Sequence, residues 1–131
     1  YMKKNILVDL SATIIHHGHI RLLKKASKLG KVIVALTSDA QVKKHKGYKP
    51  ELNFSQRKEI LKSIIYVNDV IKSNWMIDEK FLKKHKVDFV VHGNDNSNKI
   101  KKEKMIIFKR TKGISSTLIR KRSIQILKKN G

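Results

Sequence analysis

The chain has no cysteine. Disulfides, zinc–thiolate centres and thiol catalysis are therefore excluded. It has a single proline, Pro50, and aromatic residues make up only 6% of it, with one tryptophan, Trp75. No apolar run approaches the roughly 20 residues of a membrane-spanning helix. Lys3 and Lys4 lead into a strand-length apolar segment only, so no secretory signal is expected. A cytoplasmic setting is the corresponding expectation.

Negative charge is also scarce. Ten acidic residues face 31 lysines and arginines, for a net charge of +21. Such an excess can mark a polyanion partner, either nucleic acid or an anionic membrane face. It can equally be lysine spread over solvated helix faces, as at Lys24, Lys25, Lys28, Lys83, Lys84, Lys128 and Lys129. The few aromatics do not interleave with the basic runs as stacking platforms would, which favours the second reading over nucleic acid.

What the chain does have is 40% hydrophobic residues over 131 positions, enough for a single domain spanning 1–131 with one core. Ile6-Leu7-Val8 reads as a buried strand. Ile20, Leu22, Leu23, Ala26 and Leu29 recur at helical spacing, with Gly30 as a stop. The run 31–36 is continuously apolar after Lys31, as in a parallel strand covered on both faces. Residues 39–53 are polar, contain Gly47 and Pro50, and read as a mobile loop. Residues 55–65 read as a helix with Ile60, Leu61, Ile64 and Ile65 on its apolar side. A short strand is expected at 67–71, a helix at 78–85, strands at 88–91 and 105–108, a polar loop at 93–102, and a last helix at 115–127. The alternation argues for a three-layer α/β domain, a mostly parallel sheet with helices on both faces. In such sheets ligands sit at the carboxyl ends of the strands, so segments after Val8, Leu36, Val91 and Phe108 should share one edge.

Two segments at that edge carry chemistry. His16-His17-Gly18-His19 falls where an apolar strand turns into a helix. Backbone N–H groups at a helix start, together with imidazoles, suit a phosphate. No carboxylate stands at a spacing that would complete a metal site with these histidines. Two histidines serving only a helix cap are the competing reading. The second segment is Arg110-Thr111-Lys112-Gly113-Ile114-Ser115-Ser116-Thr117. Here an arginine offers a bidentate phosphate donor, Gly113 allows a tight turn, and three hydroxyl residues open a helix where a plain cap needs one.

Taken in order, these motifs resemble the short cytidylyltransferase family, which includes glycerol-3-phosphate cytidylyltransferase and the catalytic domains of the choline- and ethanolamine-phosphate enzymes. The resemblance continues through Thr37-Ser38-Asp39, Lys46-Gly47, Gln56-Arg57-Lys58-Glu59-Ile60-Leu61, Tyr66-Val67-Asn68-Asp69-Val70-Ile71, Trp75 and His92-Gly93-Asn94-Asp95. It implies a Rossmann-like nucleotidyltransferase fold, a homodimer, and a reaction of CTP with a phosphorylated alcohol that yields a CDP-alcohol and pyrophosphate. By position it implies that His16, His19, Lys46 and Arg110 act on the phosphates. Asp9, Leu10, Ser11, Gly18, His92, Gly93, Asp95, Thr111, Gly113, Ile114, Ser115, Ser116 and Thr117 would bind the nucleotide. Lys46 and Arg57 would serve the acceptor; Trp75 reads either as a cation–π surface for an amine of the acceptor or as a core residue capping the sheet. Mg²⁺ would bridge the CTP phosphates without a dedicated protein cage.

The chain departs from the family at Leu10-Ser11-Ala12-Thr13, where the family has Gly-Thr-Phe-Asp or something close. It also has Ile65 and Asn68 where the glycerol-phosphate branch typically has Arg and Asp. The acceptor is therefore open between glycerol 3-phosphate and phosphocholine, phosphoethanolamine or a phosphonate. A nucleotide-binding module without turnover is the alternative of another class.

Overall fold

The computed structural model describes residues 3–93 and 100–130. Five strands alternate with helices: β1 (Asn5–Leu10), α1 (His17–Ser27), β2 (Lys31–Thr37), α2 (Asp39–Lys46), α3 (Phe54–Lys62), β3 (Asp69–Ser73), α4 (Glu79–Lys84), β4 (Phe89–His92), β5 (Met105–Ile107) and α5 (Ser116–Asn130). The strands form one sheet in the order β3-β2-β1-β4-β5, and every pairing is parallel.

Period-two alternation distributes the side chains to the two faces of the sheet. Ile6, Val8 and Leu10 of β1 join Val32, Val34 and Leu36 of β2 in one core, closed by Leu23 and Ala26 of α1 and Leu61 of α3. Leu7 and Ala35 point the other way, into a core with Ile77, Val90 and Leu82 of α4. Both faces of the central strands are thus covered, which explains their unbroken apolar runs.

Three sequence expectations need correction. The polar segment read as a loop opens with a helix, α2, capped by the Ser38 hydroxyl at its start and closed by Gly47 in a left-handed conformation (φ 81°). Only Val42 of α2 is buried, so it lacks the apolar stripe that would announce it. The helix expected at 55–65 ends at Lys62, so the apolar side projected beyond it does not form. Ile64 still packs on the core, but Ile60 is exposed and Ile65 is 88% exposed. The strand expected at 67–71 begins at Asp69 instead. Asn68 stands just before it and pairs with Val32 through both its main-chain N–H and its side-chain carbonyl oxygen.

The chain leaves β1 for β2 and β3 on one side and returns to β4 and β5 on the other. The crevice between the carboxyl ends of β1 and β4 is therefore a switch point, where such sheets bind ligands.

Candidate active site

A cavity of about 510 Å³ opens at that crevice. Asp9 and Leu10 from the end of β1, His92 and Gly93 from the end of β4, the start of α1 and the residues around the start of α5 all line it. The four segments expected to share the carboxyl edge of the sheet do so.

The histidine motif is both a cap and a site. His16 is the N-cap of α1, and its Nδ1 accepts from the Gly18 N–H at 3.0 Å. His19 reciprocates, its Nδ1 accepting from the His16 N–H at 3.1 Å. This is a capping box built from two imidazoles. It has a chemical consequence. An Nδ1 that accepts carries no proton, so each neutral ring holds its proton on Nε2 and offers a donor there. Both histidines line the cavity, with ring centroids 4.0 Å apart. Gly18 is required by this packing, since a Cβ on it would stand 2.8 Å from the His16 ring.

Burial keeps both rings neutral. Desolvation lowers the His16 pKa, and the adjacent His17 adds to the shift. Desolvation, followed by the nearby His16, Lys46 and Arg110, lowers that of His19 to about 3. The motif thus presents two neutral N–H donors at the positive end of a helix whose first turn holds no acidic residue.

The opposite wall is the turn before α5. Gly113 takes the left-handed conformation (φ 75°) and shapes the turn without lining the cavity, whereas Thr111, Ile114, Ser115, Ser116 and Thr117 do line it. The three hydroxyl residues divide their work. Ser115 Oγ accepts from the Leu118 N–H and caps the helix. Ser116 Oγ donates to the Ile14 carbonyl at 2.9 Å and accepts from the Ile14 N–H, tying the turn to the loop after β1. Thr117 is left exposed at the cavity. Arg110 lies along Gly93, where a Cβ would meet its Nε at 2.8 Å. A glycine at 93 is what lets the guanidinium cross that strand end.

Lys46 also reaches the cavity, from the last residue of α2 rather than from a loop. Burial, then Arg120, Arg110 and Arg57, lower its pKa, while Glu51 opposes them. Trp75 lines the cavity, half-buried, with the His45 ring stacked on it at 4.8 Å and the Lys46 ammonium 6.0 Å from its ring centre. Asp9 stands 3.4 Å from His92 Nε2 and is the one carboxylate among the described lining residues.

Arg57 does not belong to the cavity wall. It is 0% exposed, and its guanidinium donates to the main-chain carbonyls of Ser11 (2.7 Å), Thr37 (3.0 Å) and Leu52 (3.1 Å) and to the Asp39 carboxylate (2.6 Å). The expectation of an acceptor-binding arginine is corrected: this one braces the loops after β1 and β2. The unusual loop at 10–13 is held from several sides. Leu10 packs into the core, Arg57 holds the Ser11 carbonyl, and Ala12, 3% exposed, adopts a left-handed φ of 43°. Thr13 accepts from Arg120, a residue with no sequence signal of its own in a helix rich in cations. Asp95, expected at the nucleotide, lies outside the described residues.

Comparison with known proteins shows the family and the fold. The model of the cytidylyltransferase-like family matches residues 11–122. A glycerol-3-phosphate cytidylyltransferase of Staphylococcus aureus is 37% identical over 125 residues, covering 89% of this chain and 92% of that one. A probable choline-phosphate cytidylyltransferase of Schizosaccharomyces pombe is 34% identical over 116 residues, covering 78% of this chain and 32% of that one. Among solved structures, a lipopolysaccharide core biosynthesis protein from Thermoplasma volcanium superposes with a TM-score of 0.71 at 20% identity, over 83% of this chain and 98% of that one. The chain belongs to the cytidylyltransferase-like family of nucleotidyltransferases.

Proposed function

We propose that the protein transfers the cytidylyl group of CTP to a phosphorylated alcohol, with glycerol 3-phosphate as the preferred acceptor, and releases pyrophosphate. An acceptor phosphate oxygen attacks the α-phosphorus, a new P–O bond forms, and the bond to the bridging oxygen of the β-phosphate breaks in line. No bond to the protein is made. Catalysis is then positioning and charge stabilisation.

The observation that carries this reading is that two imidazoles whose Nδ1 atoms accept main-chain N–H groups line the same cavity as Arg110 and the turn before α5. His16 and His19 donate to the oxygens around the α-phosphorus, where negative charge builds up as the bond breaks. Arg110 and the N–H groups of the 113–117 turn receive the β- and γ-phosphates, with Thr117 adding a hydroxyl. Lys46 supplies a cation between nucleotide and acceptor. A magnesium ion held chiefly by the CTP phosphates suits this donor set, in which Asp9 is the single described carboxylate. Such an ion would neutralise part of the charge on the leaving pyrophosphate. The proposal includes a homodimer, on the strength of the family resemblance, and a cytoplasmic setting, which a chain without cysteine suits.

The surroundings of Trp75 favour an acceptor whose alcohol part carries no positive charge. His45 covers one stretch of the ring and Lys46 stands beside it, so a choline or ethanolamine cation would meet an ammonium where it sought an aromatic face. Two glycerol-3-phosphate cytidylyltransferases, 37% and 32% identical to this chain and covered over 92% and 95% of their own length, support the same acceptor.

The test is pyrophosphate release from CTP with glycerol 3-phosphate, phosphocholine and phosphoethanolamine in parallel. Glycerol 3-phosphate should give a kcat/KM at least about tenfold above the amino-alcohol phosphates. Equal or better turnover of phosphocholine overturns the acceptor assignment. CTP binding without release from any acceptor overturns the enzymatic one.

A further inference from the structure

Arg120 lies one turn into α5 and does not line the cavity, yet it touches two other segments, the loop after β1 and the chain beyond α2, whose neighbouring residues do line it. Its Nη2 donates to Thr13 Oγ1 at 2.6 Å and to one Glu51 carboxylate oxygen at 2.7 Å, and its Nε donates to the other. Its Nη1 donates to the Tyr48 hydroxyl at 2.9 Å, and its guanidinium carbon lies 4.6 Å from the centre of the Tyr48 ring. Each partner is close in sequence to a residue that lines the cavity. Thr13 precedes His16 in the loop after β1. Tyr48 and Glu51 follow Lys46 across the Gly47 cap. Arg120 itself rides on the helix that begins at the phosphate turn.

Lys46 sits in an unfavourable place before substrate arrives. It lines the cavity, and burial followed by the positive charges of Arg120, Arg110 and Arg57 lowers its pKa. Glu51 is the nearby carboxylate that could draw its ammonium out of the cavity, and Arg120 engages both oxygens of that carboxylate. A partly exposed ion pair contributes little stability on its own. A planar fork that binds a carboxylate, a phenol and a hydroxyl together does fix geometry, as a lysine could not.

We propose that Arg120 is a positioning residue: by engaging Glu51 and Tyr48 it anchors the chain just beyond α2, so that Lys46 stays in the cavity and faces the phosphates. The proposal rests on the reading of the cavity as a triphosphate site. Without Arg120, Glu51 is released, pairs with Lys46, and removes that cation from the substrate.

A double-substitution cycle on kcat/KM tests this, with Arg120→Met, Lys46→Met and the pair. Arg120→Met should lower kcat/KM about tenfold in the wild-type background and less than about twofold in the Lys46→Met background, because the group it positions is already gone. The same loss in both backgrounds, or no loss in either, overturns the proposal, whatever happens to Tm. Arg120→Lys, which keeps the charge but loses the fork, serves where the methionine variant folds poorly, and should show the same dependence on Lys46. Calorimetric binding of CTP by the same four proteins keeps the two readings apart. Wild-type protein that binds no CTP refutes the triphosphate site. Wild-type binding that Lys46→Met weakens and Arg120→Met leaves unchanged refutes the positioning role alone.

Discussion

The two walls of the cavity differ in how their donors are held. The wall on β1 and α1 stands on the best-packed part of the molecule: Ile6, Leu7, Val8 and Leu23 are fully buried, and a reciprocal cap locks both histidine rings. The wall on β5 and α5 stands on a three-residue edge strand and a fifteen-residue helix without a single buried residue. Two polar ties, Ser116 to Ile14 and Arg120 to Thr13, join it to the loop after β1. The inner wall offers neutral N–H donors of fixed tautomer, and the outer wall offers charge. Donors aimed in advance at developing charge give transition-state stabilisation without reorganisation. Charges on a loosely packed wall serve binding, and can be moved by what they bind.

The largest effects should therefore come from the inner wall. His16→Ala or His19→Ala should lower kcat by about a hundredfold, or at least tenfold, with a smaller change in KM for CTP. Two conservative variants separate cap from donor. His16→Asn retains a strong capping residue and His19→Gln retains the capping-box acceptor, so both should keep Tm near wild type. His16→Asn should still lose most of its turnover, because its side chain stops short of the phosphates. Turnover near wild type in His16→Asn would erase the difference between the walls. Removing the cap itself, as in the alanine variants, should cost about 1 kcal/mol of stability.

An intermediate effect is expected at the outer wall. Arg110→Lys should raise KM for CTP by about tenfold and change kcat little, since a point charge does not reproduce a bidentate contact. A fall in kcat at unchanged KM would place Arg110 at the reacting phosphorus instead.

An effect on stability rather than turnover sharpens the electrostatic side of the contrast. Folding holds the His19 pKa near 3, against an ordinary value of 6.5 in the unfolded chain. Between those values the unfolded chain binds a proton that the folded protein does not. Stability from this source is complete above the ordinary value and declines as pH falls toward 3. His19→Gln should flatten that part of the pH dependence of the urea midpoint. Parallel curves for the two proteins would mean that His19 is not kept neutral by its surroundings.

The same contrast governs what could be read before the fold was known. β1, β2 and β4 were legible because strands covered on both faces carry unbroken apolar runs. α2 was not, since its ends are set by Ser38 and Gly47 while only Val42 enters the core. At the site, His16, Gly18, His19 and the 110–117 turn stood out because spacing alone marks a helix start. Arg57 and Arg110 were indistinguishable as letters. Folding spends the first on main-chain carbonyls and leaves the second at the cavity. Arg120 was hidden for a related reason: its partners lie 69 to 107 residues away, and no local pattern records them.

The central claim is that the histidine pair acts through Nε2–H, in neutral rings locked by the cap. Nitrogen NMR of the two imidazoles, with and without CTP, tests it most directly. Near neutral pH both rings should show a protonated Nε2 and a bare Nδ1, and both Nε2 signals should shift as CTP saturates the protein. A protonated Nδ1 on either ring, or Nε2 signals unmoved by saturating CTP, would contradict it.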